Sequence, residues 1–208
     1  MVGSFNGLAS FIDSFDRIPS SDRFVCLNSL GDGRLLSTAP VLRREDGALY
    51  ADCPVAPNYP RIAAQELCGR MAISEETGDT YLENGNIARV SGVKSFPQMV
   101  KSVLSIQRGE FLMDPHYGVR FAEYLEAFRG TPWLDELLKL DVVRQASIPY
   151  QGVANQKEHT PLNCVERVIT LKAGEENATS RLLGIELELE VKGMGCWTGK
   201  MSVHLPRL

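Results

Sequence analysis

The chain lacks several features that would place it in common classes of protein. Its 208 residues contain only short apolar runs, far below the roughly 20 residues that a membrane-spanning helix needs. Met1–Phe5 carries no basic residue and leads into no apolar stretch, so we expect no signal peptide. The sequence therefore predicts a globular protein without a membrane span.

Positive charge is scarce and unevenly distributed. The first 90 residues hold 8 arginines, no lysine and 12 acidic residues, whereas residues 91–208 hold 14 basic and 14 acidic residues. No segment concentrates positive charge, which is the main source of non-specific affinity for nucleic acids. We therefore expect no nucleic-acid partner. The change in composition also predicts that the two parts of the chain differ in structure.

Residues that carry common chemistry are few and scattered. The 5 cysteines are odd in number, and we interpret them as reduced thiols. Two of them, Cys164 and Cys196, have a histidine nearby in sequence, but the spacing differs from that of a structural zinc site. No serine lies in a Gly-x-Ser-x-Gly turn, and no glycine-rich phosphate loop occurs. We expect no metal, no cofactor and no small-molecule substrate.

Residues 1–74 are rich in glycine, proline, aspartate and serine, with short apolar runs between them. Gly31-Asp32-Gly33 and Asp46-Gly47 predict two hairpin turns, and Asn84-Gly85 predicts a third further on. Helical spacing of apolar residues predicts a short helix over Arg61–Met71. Apart from that helix, residues 1–74 are predicted to form an N-terminal β-rich extension.

Residues 75–208 show helical and then strand periodicity. Three short helices are predicted, from Ser95 to Gly109, over 121–128 and over 133–146. Strict alternation in 185–191, together with 165–170 and 200–205, predicts a small antiparallel sheet. The expected fold class is α+β, with short helices followed by the sheet.

A set of short motifs lies between the first two of these helices. Arg108-Gly109-Glu110 is followed by Asp114-Pro115-His116-Tyr117-Gly118, and 83–92 precedes the first helix. In this order and spacing the motifs resemble the gene-25-like wedge protein of contractile phage tail baseplates, a family once described as lysozyme-like. The resemblance covers about residues 75–206. In the family a later strand carries Glu-Pro-Arg, whereas this chain has Glu166 in the place of the proline, followed by Arg167.

The resemblance implies a structural, non-enzymatic subunit of the virion, assembled in the host cytoplasm. Its expected partners are larger wedge proteins and the tail sheath protein, whose polymerisation such a subunit starts by accepting a strand. A similar part of a cellular injection system, such as a secretion apparatus or a tailocin, is a further possibility. A tail-associated peptidoglycan hydrolase is the alternative in a different class.

The motif residues have a structural interpretation that is independent of the family. Gly109 suits a helix end, Asp114-Pro115 suits a turn and Gly118 suits a chain reversal, so the segment predicts a structural corner. The alternative is chemical, because Glu110 and Asp114 form the one carboxylate pair that could serve a retaining glycosidase. Their local structural roles favour the corner.

The C-terminal strands supply the other candidate binding residues. Alternation places Arg167 on the apolar side of its strand, where a buried charge needs a partner, and that partner could belong to another subunit. The predicted strand 184–193 carries an acidic row on its other face: Glu186, Glu188 and Glu190. We expect this sheet to accept a strand from another chain, and the acidic row to make the edge selective.

Overall fold

The computed structural model describes residues 5–74, 77–112, 114–150, 159–177 and 181–205. Within these residues the protein has an α+β fold, which confirms the predicted class. Three helices precede a three-stranded antiparallel sheet, as the periodicity of the second part of the chain indicates.

The helices of the described residues are α1 (Phe5–Asp13), α2 (Phe96–Leu104), α3 (Phe121–Phe128) and α4 (Leu134–Ser147). The sequence predicts the last three, whereas α1 lies within residues 1–74, where the only predicted helix is Arg61–Met71. Pro97 occupies the first turn of α2, where its missing N–H is not needed. The prediction that α2 continues to Gly109 is wrong, because the backbone of Ile106 and Arg108 is bonded to Val119 instead of continuing the helix.

The three-stranded sheet consists of β9 (Val165–Asn177), β10 (Leu182–Val191) and β11 (Gly195–His204), in the order β11-β10-β9. The central strand β10 shows the predicted alternation. Its apolar side chains are buried at five alternate positions, Leu183, Ile185, Leu187, Leu189 and Val191. Because β10 is paired on both sides, its acidic row does not line a free edge of the sheet, as the expected selectivity of the edge would require.

The remaining strands are short and form two-stranded pairs. They are β1 (Phe24–Leu27) with β2 (Asp32–Leu35), β3 (Val41–Glu45) with β4 (Ala48–Asp52), β5 (Arg70–Met71) with β8 (Arg89–Val90), and β6 (Leu82–Glu83) with β7 (Asn86–Ile87). All three predicted hairpins are present, but the first one turns at Asn28–Gly31, and Asp32 and Gly33, predicted in the turn, belong to β2. In the turns after β3 and β6 both central residues have positive φ, 49° and 77° at Asp46-Gly47 and 52° and 78° at Asn84-Gly85.

The predicted helix over Arg61–Met71 is wrong. The structure has a 3-10 turn over Ala64–Glu66 and then strand β5. The backbone N–H of Ile62 donates to the Asn163 carbonyl at 3.0 Å, and that of Ala64 donates to the Lys192 carbonyl at 2.8 Å. These tertiary hydrogen bonds replace the local ones that a helix would make, so the apolar spacing in this segment reflects packing against the sheet.

The core lies between the helices and one face of the sheet. Helix α4 packs against β9, and α2 packs against β11. The first hairpin, β1–β2, covers the other side of α4, where the Gly33 N–H donates to the Ser147 hydroxyl oxygen at 3.2 Å. As a result every residue of 141–148 is buried, including charged and polar ones, although periodicity alone predicts one solvated face.

Residues 5–74 contact the later part of the chain at several other points. Gly31 lies against the backbone of Val168, whose N–H donates to the Gly31 carbonyl at 2.8 Å. The Arg61 guanidinium donates to the Val165 carbonyl at 2.7 Å. Ala64 and Leu67 belong to the main core cluster. The domain boundary at residue 74 stays a prediction. Truncation of the chain at this boundary would remove all of these contacts.

Candidate functional site

The motif residues 108–118 fold into a closed loop between α2 and α3. We call residues 106–119 the corner loop; residue 113 lies outside the described residues. Val119 N–H donates to the Ile106 carbonyl at 2.9 Å, and Arg108 N–H donates back to the Val119 carbonyl at 2.9 Å. Gly109 N–H donates to the Pro115 carbonyl at 3.0 Å. The backbone itself therefore closes the corner that the sequence predicts.

Gly118 is required at the point where the corner loop closes. Its φ is +98°, and a Cβ there would lie 2.6 Å from the Ile106 carbonyl oxygen. The Gly118 carbonyl accepts hydrogen bonds from Gln145 Nε2 at 2.9 Å and from the Arg144 guanidinium. Gly109 also has a positive φ, +91°, but a Cβ there would meet nothing within 4 Å. The two motif glycines thus serve different purposes.

The two carboxylates that could suggest hydrolysis each accept a local backbone hydrogen bond. Glu110 Oε2 accepts from the Gln107 N–H at 2.7 Å, and Asp114 Oδ1 accepts from the His116 N–H at 2.9 Å. The exposed Glu110 therefore stabilises the first turn of the loop, and Asp114 stabilises the turn at Pro115. The contacts of both residues fit the predicted structural corner.

Arg108 connects the corner loop to the N-terminal part of the chain. Its guanidinium donates to both oxygens of Asp22, at 3.0 and 2.5 Å, which is the bidentate geometry preferred by arginine and carboxylate. Arg120 lies 3.5 Å from the same carboxylate, and His116 Nδ1 lies 2.9 Å from Arg108 Nη2. The sequence motif contains Arg108 but gives no indication of its partner, which is 86 positions earlier.

A buried charged pair in α4 holds the corner loop from the other side, and the sequence analysis missed it. Asp141 Oδ2 accepts from the Arg120 N–H at 2.5 Å, and Asp141 Oδ1 accepts from Arg144 Nε at 3.3 Å. Arg144 also donates to the Gly118 carbonyl. Burial raises the pKa of the Asp141 carboxyl, while Arg144 and the Arg120 N–H act in the opposite direction. The sequence signal for this pair was an aspartate and an arginine three positions apart, Asp141 and Arg144, within an apolar stripe of the predicted helix.

Aromatic rings close the outer side of the loop. The ring centroids of Tyr117 and Tyr150 are 4.9 Å apart, and Phe111 lies 5.3 Å from Tyr117 and 5.8 Å from Tyr150. Burial raises the pKa of Tyr117, and Tyr150 adds to this effect. Phenols are neutral at physiological pH even without such a shift, so the cluster packs as apolar cover.

The acidic row of β10 is paired within the chain. Glu186 forms a salt bridge with Lys200 on β11, and Glu190 Oε2 lies 3.4 Å from Arg167 Nη1 on β9. Glu188 accepts from Thr170 Oγ1 at 3.4 Å. These are cross-strand pairs on the solvent face, which stabilise the sheet modestly.

Arg167 does not lie on the apolar side of β9, so that prediction is wrong. Register shifts in the β9–β10 pairing interrupt the alternation, with the result that Val165, Val168 and Leu171 are buried. Arg167 faces solvent with its side chain 47% exposed, and its neighbour Glu166 is also exposed. A bulge shifts the alternation by one residue, so the residues beyond it lie on the opposite face until the next bulge. The periodicity of the sequence does not show where bulges occur.

The two edges of the sheet differ. The outer edge of β9 is covered, because Val168 N–H donates to the Gly31 carbonyl and Ala173 N–H donates to Asp135 Oδ1 at 2.9 Å. On β11, the His204 backbone is bonded to Ser105 and Gln107, which lie outside the sheet. Because outward-pointing groups alternate along an antiparallel strand, the N–H and C=O groups of the other even-numbered residues of β11 also point away from β10. The outward backbone groups of Thr198, Lys200 and Ser202 have no partner among the described residues.

The described part of the chain shows neither a metal site nor a membrane-spanning helix. No group of three or more His, Cys, Asp or Glu side chains there is arranged to hold a metal ion. None of the helices described here combines the length and apolar character that crossing a bilayer requires. Comparisons of this chain with models of protein families, with curated proteins and with solved structures found no match.

Proposed function

We propose that this protein is a structural subunit of a contractile tail baseplate wedge, located in the virion, which starts sheath assembly by accepting a strand at the edge of β11. The motif resemblance supplies the family, and the open edge of β11 is the observation that supports the binding mode. A sheet edge with unpaired backbone groups is the usual template for strand addition. Larger wedge proteins and the tail sheath protein are the proposed partners.

The side chains of β11 indicate the chemistry of the incoming strand. On the solvent face the new strand would lie beside Thr198, Lys200 and Ser202, so polar residues, including a carboxylate opposite Lys200, fit there. On the core face it would lie beside Trp197 and Met201, which are half-buried against the core. Trp197 stacks edge-on against Phe96 with ring centroids 5.0 Å apart. Apolar residues at alternate positions of the partner strand would extend this cluster.

The acidic row of β10 has a different role in this proposal from the one that the sequence suggests. Because Glu186 and Glu190 already pair with Lys200 and Arg167, lysine at the acidic positions would place like charges side by side and weaken the sheet itself. Charge reversal of the row is therefore a poor test of binding. Changes to the outward backbone groups of β11 test it directly.

The β3–β4 hairpin supports a second contact, with a neighbouring wedge subunit. All of its ten strand residues except Leu42 are exposed, and an isolated two-stranded hairpin is only marginally stable in water. Arg43 pairs with Glu45 and Asp52 on one face. On the other face Arg44 lies beside Leu49 and has no acidic partner among the described residues. A wedge surface with apolar residues and a carboxylate would complement this face.

The experiment compares Thr198→Pro with Thr198→Val. Proline removes the outward N–H of residue 198 and leaves the β10 hydrogen bonds of residues 197 and 199 in place, whereas valine keeps the N–H and the branched shape. Each purified variant is mixed with the sheath protein encoded in the same gene cluster, and sheath formation is followed by electron microscopy. We expect the proline variant to lose initiation and the valine variant to retain it.

Folding of both variants is checked by circular dichroism before the assay. Initiation by a folded Thr198→Pro protein at the normal rate would refute strand addition at β11. The neighbouring genes distinguish a phage tail from a tailocin or a secretion apparatus.

A further inference from the structure

A small cleft lies where the N-terminal part of the chain, the corner loop and the end of α4 meet. Its volume is about 20 Å³. Ser21 lines it from the N-terminal side, Tyr117 from the corner loop, and Gln145 and Tyr150 from the end of α4 and the residues after it. We call it the Gln145 cleft. It is far smaller than a pocket for a substrate or a peptide side chain.

Two buried polar atoms belong to residues that line the Gln145 cleft and have no hydrogen-bond partner among the described residues. They are the carbonyl oxygen Oε1 of Gln145 and the hydroxyl oxygen of Ser21, both buried. Gln145 as a whole is only 3% exposed, and its Nε2 donates to the Gly118 carbonyl at 2.9 Å, which fixes the orientation of the amide. A buried polar atom without a partner is costly, and native proteins usually satisfy it with protein groups or ordered water.

One of the two atoms belongs to a hydrogen-bond donor and the other is an acceptor, so one water molecule can bond both. The Ser21 hydroxyl donates a hydrogen bond and Gln145 Oε1 accepts one, while water can accept the first and donate the second. A water molecule needs a cavity of about 10–15 Å³, so the Gln145 cleft has room for one. We propose that the Gln145 cleft binds one ordered water molecule that bridges Ser21 and Gln145.

An anion does not fit this cleft as well as water does. Arg144 also lines it, but the Arg144 guanidinium already bonds Asp141, the His116 carbonyl and the Gly118 carbonyl. The Ser21, Tyr117 and Tyr150 hydroxyl groups on the cleft lining can donate, but the Gln145 carbonyl oxygen and the Asp114 side chain are acceptors, which disfavours an anion.

The bridging water would fasten the turn at residues 20–22 to α4. Asp22 in the same turn already binds Arg108, so the turn would be held to the corner loop on one side and to α4 on the other. The water is thus a structural ligand that links the N-terminal part of the chain to the helix supporting the motif. This inference does not depend on the proposed partner or on strand addition.

Nuclear magnetic resonance of the full chain tests the proposal with water itself as the probe. Cross-relaxation between water and the side-chain amide protons of Gln145 is measured in the wild type, in Ser21→Ala and in Ser102→Ala. The last variant is the control, because Ser102 lies on the exposed side of α2 and bonds the Gln98 carbonyl. A water molecule held for longer than about a nanosecond gives a cross-peak of the sign typical of the rigid protein.

We expect this cross-peak in the wild type and in Ser102→Ala, and its loss or a reduction by at least half in Ser21→Ala. Absence of the cross-peak in the wild type, or equal intensity in Ser21→Ala, would overturn the proposal. Ser21 is only partly buried as a residue, so its truncation to alanine leaves the core unchanged and the variant remains suitable for comparison.

Discussion

At the scale of single residues, a variant of Glu110 can distinguish a structural subunit from a peptidoglycan hydrolase. Its carboxylate accepts a hydrogen bond from the Gln107 N–H, and the side chain is exposed. We expect Glu110→Gln to lower the free energy of unfolding by about 1 kcal/mol, because the amide oxygen is a weaker acceptor than the carboxylate. Urea denaturation measures this change.

The same variant is assayed on purified cell walls together with the wild type. We expect no difference in lytic activity, with the wild type itself inactive. A measurable activity that Glu110→Gln loses while it stays folded would favour the peptidoglycan hydrolase instead.

Cys196 provides a residue-scale prediction that depends on pH. Its thiol donates a hydrogen bond to Glu188 Oε1 at 3.4 Å, and this bond raises the pKa of Cys196. Only the thiolate reacts with alkylating reagents, so a raised pKa moves the rate profile to higher pH. We expect Glu188→Gln to shift the profile of Cys196 to lower pH and to increase its alkylation rate near pH 8.

The alkylation rate is read from the peptide that contains Cys196 by mass spectrometry, since Cys68 is also exposed and Cys26 and Cys53 are partly exposed. Glu126→Gln, an exposed change on α3, is the matched control. Identical profiles in the wild type and Glu188→Gln would show that the hydrogen bond does not control the thiol.

At the scale of elements, the corner loop depends on one glycine more than on the other. Gly118→Ala places a Cβ 2.6 Å from the Ile106 carbonyl oxygen in addition to the strain of a positive φ. Gly109→Ala carries the strain alone, about 1–3 kcal/mol. We therefore expect Gly118→Ala to be clearly the more destabilising, and urea denaturation of the two variants compares them. Equal losses would mean that the loop relaxes freely around residue 118.

The bulges in β9 show why an element can be predicted while the direction of its side chains is not. Alternation identifies the strand that begins at Val165 correctly. The register shifts then place Ile169, expected on the apolar side, in solvent at 40% exposure. Bulges arise from how β9 fits β10 and the β1–β2 hairpin, and these are contacts between distant parts of the chain.

At the scale of the whole molecule, the composition of residues 1–74 and their contacts in the structure lead to different expectations about their role in folding. Composition predicts a separable extension and a folded chain of 75–208. The structure places Ala64 and Leu67 in the main core and pairs β5 with β8. Since burial of a leucine side chain contributes about 1.5–3 kcal/mol, we expect the chain 75–208 to be markedly less stable than the full protein.

The control for this truncation replaces only residues 41–52 with a short Gly-Ser linker, because the β3–β4 hairpin is exposed along its length. We expect that variant to retain the full midpoint of thermal unfolding. A chain of 75–208 that unfolds cooperatively at the same temperature as the full protein would support the boundary drawn from composition.

Features that depend on neighbouring residues can be predicted from the sequence alone. Asn84-Gly85 and Asp46-Gly47 adopt positive φ because few other residues can, and the alternation of β10 follows from burial of one face of a strand. The order of α2, α3 and α4 and the position of the corner loop were readable for the same reason.

Contacts between groups that are distant in sequence could be identified only from the tertiary structure. The Arg108–Asp22 pair joins the corner loop to the turn before the first hairpin, and the Asp141–Arg120 hydrogen bond joins α4 to the residue before α3. Within the described residues, β11 is the uncovered edge of the sheet because β10 lies on its other side and because Gly31 and Asp135 cover β9. Such contacts depend on the packing of whole elements, which local periodicity does not encode.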